Sequence, residues 1–292
     1  MLQYLFSQGR HCAPCPPCHN PLDKVAVTSA GQETKTPALK WAYEFGQNLY
    51  YVDTCETDQE LVRHTRDALP AEEFGALRRG VLGMLEARSR SLAEEGSTRC
   101  LYCVHIVLNI AGITKLKTHP EYGFLYPFFA RVRLEDANAF DINVAMVYPT
   151  TDPGSDAYEA HYDVVFTKYL LDEAPVAGLT VLRRWEYGVM SDVTSVLYLQ
   201  APADMRGGNF RVWDPNVHDW SLRNATLQPA PTQQVDIKEN TLVQFRGDAM
   251  HGFDPFSSET GLPRVSLVVR CYKIATQDYA FTPEFHIPSA GT

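Results

Sequence analysis

The chain nowhere runs for the roughly 18 apolar residues that a membrane-crossing helix needs, so no helical span is expected. Basic charge is also short: 26 Lys and Arg stand against 35 Asp and Glu, a net charge of −9. A general nucleic-acid binder needs a basic face to neutralise phosphates, so that class of partner is not expected. There is no internal repeat and no low-complexity tract, which excludes solenoids and composition-biased linkers. The opening Met1-Leu2-Gln3-Tyr4-Leu5-Phe6 is too short for a secretory signal and lacks its basic start. The expected setting is therefore cytoplasmic, and the seven cysteines, an odd number, read as thiols rather than bridges. A second Cys pair at zinc-finger distance is missing as well. Cys12, Cys15 and Cys18 have the Cys-x2-Cys spacing of a metal site, with His11 and His19 beside them. The other such pair, Cys100 and Cys103, lies in an apolar run. The prolines Pro14, Pro16 and Pro17 block regular structure around the first cluster, which favours an irregular segment over a structural zinc site.

What is present is ordinary for a globular protein: 292 residues, 45% apolar and 21% charged. Residues 1–38 show no periodicity. Residues 39–123 read as mainly helical. Thr57-Asp58-Gln59-Glu60 has the polar and acidic character of a helix start, and Leu61, Val62, Ala68 and Leu69 follow at roughly helical spacing. Pro70 then opens a second helix with Phe74, Leu77, Val81, Leu82 and Leu85 as its apolar stripe. Val104–Ile110 reads as a further buried element.

From about residue 124 the texture changes. Arg131-Val132-Arg133-Leu134 alternates as a strand does, and Phe140–Tyr148 reads as a strand closed by Pro149. Short β-rich runs follow at Leu179–Trp185, Val193–Leu199, Asn209–Trp213, Gln234–Ile237, Thr241–Phe245 and Arg264–Tyr272. Turn signals such as Gly207-Gly208 and Lys238-Glu239-Asn240 separate them. Many short strands at close spacing predict an antiparallel sandwich or barrel, jelly rolls among the candidates. With no linker between the halves, the expectation is one domain spanning 1–292, of α+β class: an irregular segment 1–38, helical support 39–123, a β-core 124–275 and a tail 276–292.

Within that β-core, His161-Tyr162-Asp163 stands at the mouth of an apolar run. In extended backbone residues i and i+2 share a face, so an imidazole and a carboxylate could converge on one ion. Of the nine histidines, His251 stands apart as a third ligand, because it follows a strand and a turn and precedes Gly252. Downstream, Arg264, Ser266, Val268 and Arg270 share a face of one strand. An arginine facing into a β-core needs an anionic partner, and a small dicarboxylate would supply one held by the guanidinium fork.

The order His161-x-Asp163, then His251, then Arg264-x-Ser266 resembles the Fe(II)/2-oxoglutarate-dependent oxygenases. Two further stretches are similar to the prolyl-hydroxylase-like branch: Thr194–Leu199 followed by Arg206-Gly207-Gly208-Asn209-Phe210, and Lys238–Phe245 leading into His251-Gly252. The resemblance covers about 140–273 and implies a double-stranded β-helix (jelly-roll) core. It implies Fe(II) held by His161, Asp163 and His251, leaving open positions for 2-oxoglutarate and dioxygen. It implies Arg264 on the distal carboxylate of 2-oxoglutarate, with Ser266 assisting and Arg270 as its competitor. The upstream co-substrate contact has no motif; Asn143, Met146 and Tyr148 are its candidates.

The implied chemistry is oxidative decarboxylation to succinate and CO2 coupled to oxidation of a substrate C–H bond. Asp163 favours hydroxylation over halogenation, since halogenases of the family lack the carboxylate ligand. Desaturation and cyclisation use the same ligands. A small-molecule substrate, such as an amino-acid derivative or biosynthetic intermediate, is expected first and a protein or peptide second. Trp185, Tyr187, Trp213 and Trp220 are candidates to line its pocket, and one or two arginines, Arg211 among them, could meet a substrate carboxylate. A non-catalytic jelly-roll binding protein and a zinc protein built on the N-terminal cysteines are the alternatives. Oligomeric state is not legible.

Overall fold

The computed structural model describes residues 42–45, 48–51, 60–94, 102–150, 158–161, 191–213, 230–247, 249–274, 279 and 282–287; at 42–45, 48–51, 89–94, 102–103 and 158–161 it describes the backbone alone. The elements of the N-terminal half are β1 (Ala42–Phe45), β2 (Asn48–Tyr51), β3 (Val62–Thr65), α1 (Ala71–Glu94), β4 (Tyr102–Asn109), α2 (Ile113–Thr118) and α3 (Tyr126–Val132). There follow β5 (Ala139–Val147), β6 (Tyr158–His161), β7 (Val193–Gln200), β8 (Arg206–Gly207), β9 (Phe210–Trp213) and β10 (Gln233–Val235). The last are β11 (Leu242–Arg246), β12 (Met250–Phe253), β13 (Phe256–Ser257), β14 (Arg264–Tyr272) and β15 (Phe285–His286).

Two antiparallel sheets dominate. One has seven strands in the order β15-β4-β5-β14-β7-β11-β3, the other four in the order β10-β9-β12-β6. The pairs β1-β2 and β8-β13 form small ribbons. From β5 onward the chain passes back and forth, placing β5, β7, β11 and β14 in the larger sheet and β6, β9, β10 and β12 in the smaller. The fold is thus a mixed one of helices and antiparallel sheet.

Side-chain alternation explains the layers. On β14, Val265, Leu267, Val269 and Cys271 join the core under the helices, with Leu77, Val81 and Leu85 of α1 and Phe128 and Phe129 of α3. Val268 faces the other way, into a second core with Val196 and Tyr198 of β7, Phe210 and Val212 of β9, and Phe245 of β11. The large sheet is therefore covered on both faces, and every residue of β14 is buried.

The helix stripe from Phe74 to Leu85 is observed: Leu77, Val81 and Leu85 are buried, and Phe74 and Leu82 pack against them. The helical reading of 57–69 is corrected from residue 60 on, 57–59 lying outside the described residues. Val62–Thr65 is strand β3, paired with β11 at the sheet edge, and a sharp turn follows with Asp67 at φ 48°. Edge pairing outweighs the weak helical spacing of four apolar residues. Asn240 ties that turn to α1: its backbone carbonyl accepts from the Ala68 N–H at 3.0 Å, and its side chain accepts from the Leu69 N–H at 3.0 Å and donates to the Leu69 carbonyl at 2.8 Å. Arg131-Val132 closes helix α3 rather than opening a strand, because Phe128, Phe129 and Val132 recur at helical spacing and bury together. Among the described residues of 39–123, strands β1 to β4 stand beside helices α1 and α2, and the tail contributes β15, paired with β4. The run Leu179–Trp185 and the N-terminal cysteine cluster lie outside the described residues.

Candidate active site

The face of the large sheet that meets the small sheet carries polar residues where the other face is apolar. Along β14 this inner face presents Arg264, Ser266, Val268 and Arg270, opposite Val147, Ala145, Asn143 and Asp141 of β5. Arg264 is only 2% exposed. Its Nη1 donates to the Gly208 carbonyl at 2.8 Å. Its Cζ lies 4.4 Å from the ring centre of Phe253, 5.6 Å from Phe256 and 5.8 Å from Tyr198. Among the described residues no carboxylate pairs with it. Burial lowers its pKa below the ordinary guanidinium value, with Tyr198 opposing. Aromatic faces offset about 0.5–2 kcal/mol each of a cation's desolvation, while the desolvation itself costs several kcal/mol. The arrangement calls for an anion.

Tyr198 completes that corner and was not singled out from sequence. It sits on β7 opposite Ser266, is fully buried, and its hydroxyl has no hydrogen-bond partner among the described residues. Burial raises its pKa, only partly countered by Arg264, so the group is a neutral donor. A tyrosine within the apolar run Val196–Leu199 was the available signal, but its partner strand and register were not readable. The Gly207-Gly208 turn shapes the same corner. Both glycines have positive φ, 82° and 76°. A Cβ on Gly207 would come 2.5 Å from the Pro255 carbonyl oxygen, and one on Gly208 would meet Phe256 at 3.1 Å and Arg264 Nη1 at 3.4 Å. The turn can therefore bring its carbonyl onto the guanidinium only without side chains.

The small sheet holds the histidines. His251 on β12 is the register partner of His161 on β6, so residues 90 positions apart in sequence are direct neighbours on one sheet face. The register slips between His251 and Phe253, which faces Tyr158, so β6 carries an extra residue there. His251 is 4% exposed and packs on the rings of Phe245 at 4.4 Å and Phe210 at 5.7 Å between centres. Its Nδ1 lies 3.2 Å from the Ala249 carbonyl. A carbonyl only accepts, so Nδ1 carries the proton; in the neutral ring the lone pair then stands at Nε2, the form that binds a metal. Two residues further along β12, on the same face, Phe253 meets the Arg264 guanidinium. Phe253, whose ring meets the guanidinium, is thus one strand repeat, about 7 Å, from His251 along β12. Asp163 and the side chain of His161 lie outside the described residues; among the described ones no three His, Cys, Asp or Glu side chains gather as a metal cluster.

The remaining candidates divide. Ser266 (8% exposed) and Asn143 (5%) are on the inner face. Met146 packs in the helix-side core, away from Arg264. Tyr148 lies one residue past β5, is 37% exposed, and is not gathered with the buried set. Arg270 is committed elsewhere: its Nη1 donates to Asp141 Oδ2 at 2.7 Å, and His105 Nε2 is 2.7 Å from Asp141 Oδ1, within ion-pair range though off the line of a hydrogen bond. Burial alone would raise the Asp141 pKa; His105 and Arg270 together overcome that and hold it below the ordinary value. Trp213 and Arg211 lie on the outer face of β9, away from the interface that Phe210 and Val212 enter, and Arg211 pairs with Asp254 at 3.0 Å. Trp213 is thus a buried residue of the outer layer rather than a pocket wall. Trp185, Tyr187 and Trp220 lie outside the described residues.

No helix among the described residues is long and apolar enough to cross a membrane. No family model matches the chain, and no curated protein matches it. Among solved structures it is similar to a prolyl-4-hydroxylase of Pseudomonas putida, with 19% identity, 74% of this chain and 94% of that one covered, and a TM-score of 0.35. It is similar to a Trichoplax adhaerens prolyl hydroxylase solved with a hypoxia inducible factor peptide fragment (11% identity, 76% and 87% covered, TM-score 0.38). The IDO of Bacillus thuringiensis is a third (12% identity, 73% and 92% covered, TM-score 0.40). At such identities and scores, the side chains described above remain the ground for any functional reading.

Proposed function

We propose that the chain is a non-haem Fe(II)/2-oxoglutarate-dependent oxygenase that oxidises an unactivated C–H bond of a small molecule. The observation that carries this reading is the register of β6 and β12, which sets His161 opposite His251, one strand repeat along β12 from Phe253, whose ring meets a buried arginine that pairs with no carboxylate among the described residues. The alternation of eight strands between two sheets supports a jelly roll, with β5-β14-β7-β11 facing β6-β12-β9-β10.

The residues fit the implied groups. His161, Asp163 and His251 would hold the iron, two imidazoles and a carboxylate being the donor set suited to Fe(II) with open positions. Bound there, iron supplies the activation of dioxygen that couples 2-oxoglutarate decarboxylation to C–H oxidation. Arg264 would hold the distal carboxylate of 2-oxoglutarate, with the Tyr198 hydroxyl donating a further hydrogen bond and Ser266 beside it. The Gly208 carbonyl keeps the guanidinium oriented, and the rings of Phe253 and Phe256 exclude water from it. His251 is held in its metal-binding tautomer by the Ala249 carbonyl.

The test is anaerobic reconstitution with Fe(II), followed by metal analysis and by succinate formation from 2-oxoglutarate over a panel of metabolites. One equivalent of iron per chain, lost in His251→Ala and in Asp163→Ala, is the expected result. A protein that takes up no iron and shows no affinity for 2-oxoglutarate sinks the reading.

A further inference from the structure

Apart from the arginine corner, the inner face of the large sheet has a second polar end, where β4, β5 and β14 run side by side. Asn143 is its centre. The residue is 5% exposed, and its Oδ1 has no hydrogen-bond partner among the described residues. A buried amide oxygen left unpaired costs about 1–3 kcal/mol. Its register neighbours are Val268 on β14 and His105 on β4. The His105 side chain is 25% exposed, so the surface reaches the position next to Asn143. One pair along, Asp141 is closed off by Arg270 and His105, each at 2.7 Å. The carboxylate's charge is therefore matched from within the protein. A charged ligand group placed here would lose its hydration and find only an ion pair already made and a neutral amide. A neutral amide would find its complement, because a carboxamide side chain offers one acceptor and one donor edge whichever way it is turned.

We propose that this end of the sheet is a recognition subsite for an uncharged amide group of the substrate, with Asn143 as the residue that pairs with it. The assignment rests on the oxygenase reading in one respect only, that the ligand bound there is the one oxidised at the His161–His251 pair. The amide belongs either to a small carboxamide or to a peptide group.

Equilibrium binding by ligand-observed NMR on the full chain, without iron or turnover, separates this proposal from the oxygenase reading. The probes are benzamide for the small carboxamide and N-acetylalanine N-methylamide for the peptide group, with benzoate and free alanine as charged counterparts. Saturable binding of one amide, at least tenfold tighter than its counterpart, is expected, and which amide binds names the source. Asn143→Leu should weaken that amide at least tenfold. Asn143→Asp keeps the shape and serves if the leucine variant does not fold; it should lose the preference for the amide. The proposal is overturned if neither amide binds saturably, if the charged counterparts bind as well, or if the variants leave amide binding intact. Loss of 2-oxoglutarate affinity alone in these variants would also overturn it and make Asn143 a co-substrate contact. Amide binding in a protein that takes up no iron would leave the subsite standing and remove only the oxygenase.

Discussion

At the scale of single residues, two arginines on one strand face have opposite commitments. Arg270 is neutralised by Asp141, whereas Arg264 rests on a carbonyl and aromatic rings. Charge-assisted hydrogen bonds contribute about 1.5–3 kcal/mol, so Arg264→Ala should weaken 2-oxoglutarate binding by roughly 10- to 100-fold in a titration. Arg270→Ala should instead lower stability and leave that affinity nearly unchanged; the reverse result would exchange their roles. Tyr198→Phe gives a sharper contrast. Removing a buried hydroxyl without a partner among the described residues relieves up to about 1–3 kcal/mol in the free protein, while removing a donor to the bound anion costs about 1.5–3 kcal/mol. Thermal unfolding without ligand should therefore rise or hold, as 2-oxoglutarate affinity falls by roughly 10- to 100-fold.

At the scale of elements, the turn Gly207-Gly208 is tied to the site by its carbonyl on Arg264. Gly207→Ala combines a left-handed conformation with an approach of 2.5 Å to the Pro255 oxygen. It should cost about 1–3 kcal/mol in chemical denaturation and weaken 2-oxoglutarate binding by displacing that carbonyl. Gly261→Ala, also at positive φ but in open space, should cost less and leave binding alone. Strong signals made most elements legible. Leu77, Val81 and Leu85 repeat as only a helix repeats, and Arg264–Tyr272 is apolar enough to be nothing but a buried strand. Val62–Thr65 was not legible, because its strand form depends on the edge of β11, nearly two hundred residues away. The site shows the same division. Arg264 stood out by its chemistry, whereas Tyr198 needed a register that sequence spacing does not carry.

At the scale of the whole molecule, the Asp141 cluster links strands from three parts of the chain, β4, β5 and β14. Because the folded-state pKa of Asp141 is depressed, its contribution is present above its unfolded value of about 4 and is lost as pH falls below that through the folded value. Asp141→Asn removes this portion of the acid limb and leaves Arg270 buried without its partner, so it should cost about 3–5 kcal/mol near neutrality. Urea denaturation between pH 3 and 7 on the two proteins, in steps of about one unit, compares the slopes directly.

The central place of β14 has a consequence for biosynthesis. β5 and β7 do not pair with each other; each pairs with β14, which leaves the ribosome after both. At about 5–20 residues per second, the nascent chain holds both flanking strands for several seconds with their inner edges open. Such edges are templates for pairing with another chain. Until β14 is made, the nascent chain therefore offers those edges to chaperones, and its yield depends on what shields them while they wait.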